Sequence, residues 1–503
     1  MMDQESGGKK VLTNRSRGRA PVYLLIGLMT LTIVGSLAAV VNGAAVPASS
    51  PGEVPIVDAE GPLCDFGVNA DGSIDQLDMS PLRIGWYLNY QASPNPSEPN
   101  GADYAPLISI SQVGQNGFAY APSGSELQAA IAGNPGATWL IGNEPDAILQ
   151  NNLEPHVYAS AYHELYYLIK GVDPTAKIFA GSIVQATEVR LMYLDMVLDS
   201  YEAAEGSQMP VDGWSIHGFI LNEVSCDLPD CWGAQIPPGV DVLTGEILTV
   251  DDNDNLVLFA ERIERFRQWM ADRGYLGFPL YLTEYGILMP PFLGFPPSRV
   301  NDFMNNTFNY LLNTTDVRLG NPNDEYRLVQ KLSWYSTTDT YFNGWLFDPD
   351  NLYQLSPMGL NYAAYVAGIE SEIDLYPSLI SIDPSSPFSP VDPVTMTLSA
   401  AVANSGNMIT PTGPVTVRFF DGDPDAAGEQ IGEDQFVSLV GCGDHQIVSV
   451  TWSDVAPGAH TVFVIVDPQG HIEESDEGNK TTSRVVVVAS DRVYIPAVRF
   501  SSD

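Results

Sequence analysis

The sequence predicts an α/β chain, a TIM barrel of the (β/α)8 type followed by an all-β, immunoglobulin-like sandwich. Three observations predict it. From about residue 61 to 370, short continuous apolar runs alternate with amphipathic stretches, as parallel strands covered by helices do. That region is about 300 residues long, within the usual range of the closed eightfold barrel. Past Tyr376 the apolar period falls to two and no helix-period segment intervenes.

The chain has 503 residues, 45% hydrophobic and 17% charged, enough for one large and one smaller domain. Its formal net charge of -40 is unevenly spread, because Lys9, Lys10, Arg15, Arg17 and Arg19 outnumber Asp3 and Glu5 at the start. The remainder is strongly acidic, which excludes a nucleic-acid partner, since phosphate backbones need clustered cations. Val22 to Val41 reads VYLLIGLMTLTIVGSLAAVV, an apolar run between a basic flank and the small residues Gly43, Ala44 and Ala45. Residues 1–45 therefore read as an export signal. The run is also long enough to span a bilayer, so an uncleaved membrane anchor is the alternative. Both readings put the rest of the chain outside the cell. Residues 46–60 (VPASSPGEVPIVDAE) lack apolar periodicity and read as a linker.

Strands are expected at Leu82–Tyr90, Ala105–Ser111, Thr138–Gly142, Lys177–Ile183, Gly213–Phe219, Pro279–Gly286 and Leu332–Ser336. Leu63–Val68 is a candidate eighth, although no convincing helix separates it from Leu82. Helices are expected in segments such as Val157–Lys170 and Leu256–Arg273. The barrel is thus assigned to 61–370. TMTLSAAVAN, PVTVRFF, HQIVSVTW, HTVFVIVD and SRVVVVAS are the strands of a sandwich over 376–490, before a short tail at 491–503. Cys226 and Cys231, within CDLPDC, are close enough to close a small loop. Cys64 and Cys442 fall in different expected domains, and their sequence positions leave their pairing open. No Cys or His cluster has zinc spacing, and no metal or cofactor is expected.

Two strand ends carry the chemistry. WLIGNEPD (139–146) and LYLTEYG (280–286) are apolar runs that stop in a carboxylate, Glu144 and Glu284. An unpaired carboxylate costs several kcal/mol at the end of a buried strand, so packing gives no reason for it. In a barrel the C-terminal strand ends converge, and two carboxylates across one cleft are what glycosidic cleavage requires. Residues 221–255, rich in Cys, Pro and Asp, form an insertion between them. Without it, about three βα units separate the two residues, which suits strands four and seven.

GWYLNY, YAPLIS, GNEPD, SIHGF, LTEYG and SWYS, in that order over residues 80–365, resemble clan-A glycoside hydrolases. Within the clan they are most similar to the β-1,3-glucanase-like core of glycoside hydrolase family 128. The resemblance implies Glu144 as acid/base and Glu284 as nucleophile. It implies Asn143 as a partner of the sugar 2-hydroxyl, His217 facing the cleft, and Trp334 as an aromatic platform. Trp86 is a further candidate for the cleft wall. The family often has Tyr two residues after the His; Phe219 stands there, which leaves a hydroxyl on the nucleophile missing or supplied by Tyr285 or Tyr335. The implied partner is a polysaccharide or oligosaccharide, β-glucan being favoured, and the implied reaction is double displacement without a cofactor. Each assignment has a packing alternative. Glu144 and Glu284 also suit buried ion pairs, His217 a structural histidine, and Trp86 and Trp334 barrel core. A non-catalytic glycan-binding surface protein is the alternative function.

PSLISIDPSSP, AAVANSGN and VDPQGHIEESDEGNKTT resemble the cell-adhesion-related domain CARDB, which implies a spacer or cell-surface attachment module without catalytic residues. VNADGSIDQLD (68–78) is close to a calcium loop, but Gly67 occupies the first ligand position, and a solvated turn is the simpler reading. NNT at 305, NTT at 313 and NKT at 479 match the short N-glycosylation pattern.

Overall fold

Runs too apolar to face water on either side become strands buried on both faces. The computed structural model describes residues 61–490, except 73, 229–230, 388–392 and 411–413. The expected leader or anchor, the linker at 46–60 and the tail at 491–503 lie outside the described residues. No helix among the described residues is long and apolar enough to cross a membrane.

The first sheet contains β1 (Leu63–Asn69), β2 (Ile84–Leu88), β3 (Asp103–Tyr104), β4 (Leu107–Val113), β5 (Gly117–Ala121), β6 (Thr138–Ile141), β7 (Lys177–Ile183), β8 (Gly213–His217), β9 (Leu280–Tyr285) and β10 (Lys331–Trp334). Every residue of β1, β2, β8 and β9 is buried, as a doubly covered sheet demands. Each expected strand, Leu63–Val68 included, has its counterpart here. The ladder order is β3-β2-β1-β10-β9-β8-β7-β6-β4-β5, parallel throughout except for the β4–β5 hairpin. Ala105 donates its N–H to Tyr87 O at 2.9 Å and Leu107 to Gln91 O at 2.8 Å, so β2 lies beside the approach to β4. The expectation of a closed (β/α)8 barrel is therefore met as far as a curled ten-stranded mixed sheet.

The helices are α1 (Gly124–Gly133), α2 (Pro155–Val172), α3 (Glu188–Glu205), α4 (Leu256–Asp272), α5 (Pro297–Asn313) and α6 (Pro357–Val366). In α2, Pro155 opens the first turn, where its missing N–H costs nothing, and Tyr158, Tyr162, Leu165 and Ile169 recur at helical spacing on the buried side. Asn255 caps α4 by accepting from the N–H groups of Val257 and Leu258. Among the described residues between β1 and β2 the only helices are short 3-10 turns, where the sequence lacks a helical pattern. Asp71, in the calcium-like loop, accepts from both the hydroxyl and the N–H of neighbouring Thr337 and Thr338, at 2.6 and 2.7 Å, and so ties that loop to the end of β10.

A small hairpin, β11 (Phe347–Asp348) with β12 (Gln354–Leu355), precedes the second module. That module pairs a three-stranded sheet, β13 (Leu375–Asp383), β14 (Val394–Asn404) and β17 (Asp444–Val455), with a four-stranded one, β16 (Glu429–Val437), β15 (Val415–Asp421), β18 (Gly458–Val466) and β19 (Thr481–Val488). All of its ladders are antiparallel, and Leu398, Val417, Phe419, Val464 and Val486 form part of its own core. Among the described residues, seven strands stand where the sequence pattern showed five. The two additions are edge strands: β13 contains Pro377, and β16 reads EQIGEDQFV, with mostly solvent-facing side chains.

Cys226 is bonded to Cys231, as expected, and Cys64 to Cys442. The second disulfide joins β1 to the loop before β17. Beside it, Lys177 pairs with Asp444 at 2.7 Å, and Tyr376 donates to Pro322 O at 2.9 Å.

Candidate active site

The strand β6 ends at Ile141, and Gly142, at φ 86°, turns the chain through a conformation that side-chain-bearing residues avoid. Glu144 follows at φ 45°, with its N–H bonded to Ser182 O at 3.0 Å. On β9, Glu284 lies in register with His217 of β8, so both side chains emerge at one end of the sheet. Gly286 follows at φ 155°, and a Cβ there would lie 2.9 Å from Tyr335 O.

The three side chains meet. His217 Nδ1 is 2.9 Å from Glu144 Oε1, and His217 Nε2 is 3.8 Å from Glu284 Oε2. One oxygen of each carboxylate and one imidazole nitrogen all lie within 4.8 Å of one another. Glu144 is 5% and Glu284 7% exposed, so their charges act through a poorly solvated medium. Burial pushes the Glu284 carboxyl up to about 7; His217 opposes this, Glu144 adds to it, and a hydrogen bond from Tyr90 opposes it. Burial by itself would lower His217, but Glu284 and Glu144 hold it above its ordinary value.

Tyr90 donates its hydroxyl to Glu284 Oε2 at 2.8 Å. Its own ionisation is held far above the usual range by burial and by Glu284, so the phenol stays a donor. The sequence reading missed it, although Tyr90 closes the expected strand Leu82–Tyr90 just as Glu144 closes its own. The hydroxyl expected from Tyr285 or Tyr335 comes from neither. Tyr335 donates to Asp339 Oδ2 at 2.6 Å, and the Tyr285 ring packs against Phe259 and Trp334. Phe219 sets its ring edge against His217, with centroids 5.9 Å apart.

Asn143 stands beside Glu144, its backbone N–H bonded to Asn151 Oδ1 at 2.7 Å. Its side-chain oxygen is buried without a protein partner, an acceptor left for a ligand hydroxyl. Behind the site, Asp146 pairs with Arg190 at 2.9 Å, and Arg190 pairs with Glu223 at 3.0 Å. Arg190 also donates to the carbonyls of Ala234 and Gln235, both at 2.7 Å, which fastens the 221–255 insertion to the loop that carries Glu144. Burial raises Asp146 to about 6 against the pull of Arg190.

Trp86, Tyr285 and Trp334 are not brought to this site. Tyr285 and Trp334 are fully buried; Trp334 donates to Gly344 O at 2.8 Å and packs on Phe308 of α5. Tyr285 follows Glu284 on a strand, so its side chain takes the opposite face. Trp86 packs against Tyr281 inside the sheet and borders a cavity of 810 Å³. Lys177, Lys331 and Asp444 share that cavity, at the ends where β7 and β10 begin, opposite the carboxylates. The expected Trp334 platform fails because its ring fills the layer between the sheet and α5, and Trp86 does not reach the carboxylates because it packs inside the sheet with Phe179 and Tyr281.

The same trio offers three ligand atoms to a metal ion, but Glu144 and Glu284 engage opposite nitrogens of His217, whereas one ion takes only one. The arrangement is an acid–imidazole–acid row, the imidazole hydrogen-bonded to Glu144 at 2.9 Å and in ion-pair range of Glu284 at 3.8 Å.

No curated protein matches the chain. A GH128 (subgroup I) endo-β-1,3-glucanase from Amycolatopsis mediterranei in complex with laminaritriose aligns at 17% identity and a TM-score of 0.38, over 60% of this chain and 98% of its own. A GH128 (subgroup VII) oligosaccharide-binding protein from Trichoderma gamsii aligns at 14% and 0.36, over 60% of this chain and 93% of its own. A CARDB domain from Pyrococcus furiosus in complex with di-metal ions aligns at 18% and 0.20, over 24% of this chain and 99% of its own. In a scan of family models, residues 374–484 match CARDB.

Proposed function

We propose that the protein is an exported retaining glycoside hydrolase acting on a β-linked polysaccharide, β-glucan first. The observation that carries this is the approach of Glu144 and Glu284 to within 4.8 Å at the ends of two strands. Retaining enzymes need their carboxyl groups about 5 Å apart, whereas inverting ones leave room for water at roughly 6.5–9.5 Å. Glu284 attacks the anomeric carbon while Glu144 protonates the departing glycosidic oxygen. The carbon–oxygen bond breaks to give a glycosyl ester on Glu284. Glu144, now ionised, takes a proton from water, which displaces Glu284 and releases the sugar with its configuration retained. Asn143, with its open acceptor, holds a sugar hydroxyl, and His217 bridges the two carboxyls. The reaction calls for no cofactor.

The 61–370 region is the catalytic domain in this reading, built as a closed barrel, and 376–490 is an attachment module that holds it at a surface. The chain leaves the cell through residues 1–45, cleaved or retained as an anchor. A glycan-binding protein without turnover is the second reading, favoured by the raised Glu284, which leaves the nucleophile partly protonated near neutrality. Hydrolysis of laminarin and xylan by wild type, Glu284→Gln and Glu144→Ala tests the proposal. Each substitution is expected to lower kcat by about 10²-fold or more. Equal rates in all three proteins would end the assignment.

A further inference from the structure

The sequence offered Trp334 as a sugar platform and Trp86 for the cleft wall, and both are core. An aromatic wall nevertheless leaves the site in another direction. Phe219, edge-on to His217, has the Tyr335 ring 6.2 Å away, and Tyr335 has Phe342 at 6.2 Å. Phe342 in turn meets Tyr341 edge-on at 4.9 Å. The first three rings are buried, whereas Tyr341 is 58% exposed, so the row surfaces there. Tyr341 is also held in place: its N–H donates to Asp339 Oδ1 at 2.9 Å, while Tyr335 donates to Asp339 Oδ2 at 2.6 Å. Asp339 is near enough to Glu284 to act on its charge. Tyr341 therefore sits on the loop that follows β10, one residue removed from the electrostatic surroundings of the carboxylates. Of the row, Tyr341 alone presents its ring to solvent, where a ligand can reach it.

We infer that Tyr341 is an outer sugar platform, on which a pyranose ring of a polymeric substrate lies face-on beyond the bond that is cut. This deepens the glycosidase reading and rests on it: the substrate spans more than the two sugars at the cleavage point, and Tyr341 sets the preference for long chains. Axial hydrogens of a β-linked glucose present an apolar face that matches an exposed aromatic ring, as stacked rings do elsewhere in recognition.

The test is calorimetric titration of the full chain with laminarin, with Glu284→Gln as the non-hydrolysing background. Adding Tyr341→Ala is expected to weaken binding about tenfold. Tyr341→Phe keeps the ring and is expected to keep the affinity. Tyr167→Ala removes a comparably exposed tyrosine from the outer helix α2 and is expected to change nothing. In the otherwise wild-type chain, Tyr341→Ala raises KM for laminarin with kcat nearly unchanged. Undiminished affinity in Tyr341→Ala overturns the platform and leaves the glycosidase reading intact. Failure of Glu284→Gln itself to bind laminarin overturns the β-glucan reading, and the platform with it.

Discussion

Replacing Tyr90 by Phe removes one oxygen from a buried site and nothing else of consequence. The lost contact is the 2.8 Å donation to Glu284 Oε2. A hydrogen bond to a charged partner contributes about 1.5–3 kcal/mol. At 1.36 kcal/mol per pH unit, this corresponds to roughly one to two units in the ionisation of its acceptor. The direction follows from which form is stabilised. Tyr90 donates to the ionised carboxylate, so its removal favours the protonated acid, and Glu284, already raised to about 7, goes higher. A nucleophile must be ionised, so the acidic limb of kcat/KM, expected near pH 7 in wild type, moves up by about one unit or more. At pH 6 the rate falls at least about tenfold, and the gap narrows as pH rises past the displaced limb. Initial rates of laminarin hydrolysis between pH 5 and 9 read this directly, with melting temperature as the check on folding. Superimposable profiles for wild type and Tyr90→Phe would refute the argument, since no other group of the site would then depend on that hydroxyl.

Two further predictions concern buried charges, the ion triad behind the site and two raised carboxyls, Asp146 there and Glu474 in the second module. Arg190→Met strands Asp146 and Glu223 without their counter-ion and is expected to cost about 3–5 kcal/mol in a denaturant titration; a loss below about 1 kcal/mol would show that the ion triad is not what holds the insertion. Acidification is expected to stabilise the fold. Asp146 and Glu474 titrate near 6 and near 7 when folded, above their unfolded values, so their contribution is complete below about pH 4 and is lost as pH rises through 6 to 7. For Asp146 alone this is about 3 kcal/mol. Melting temperatures between pH 4.5 and 8 check it, and a steady rise with pH across that range would contradict it.

The residues that were legible in the sequence share one property, that packing cannot account for them. Glu144 and Glu284 interrupt apolar strands, and no buried strand ends in a carboxylate without a partner or a task. Strand positions were legible for the same reason, because continuous burial leaves a continuous apolar run. Direction was not. Glu284 and Tyr285 are neighbours whose side chains face opposite ways, and residue type alone does not say which face holds the chemistry. Trp334 matched a motif yet spends its indole N–H on Gly344. Tyr90 escaped because an aromatic at a strand end resembles any other half-buried aromatic until its hydroxyl is seen against Glu284. The edge strand β16 escaped because its mostly solvent-facing residues carry no apolar alternation, and β13 because Pro377 interrupts its run. Pairing of Cys64 with Cys442 depends on the second module folding back on β1, a tertiary fact with no local trace.

That pairing makes most of the described chain a covalent ring. The sulfurs join positions 378 residues apart, so the whole sheet with its helices, and the first four strands of the second module, are enclosed by one bond. A single protease cut anywhere between Cys64 and Cys442 opens the ring without releasing either piece. A chain that has been clipped in an exposed loop within the ring thus keeps its second module attached, and only a reductant or a second cut within the ring sets a fragment free.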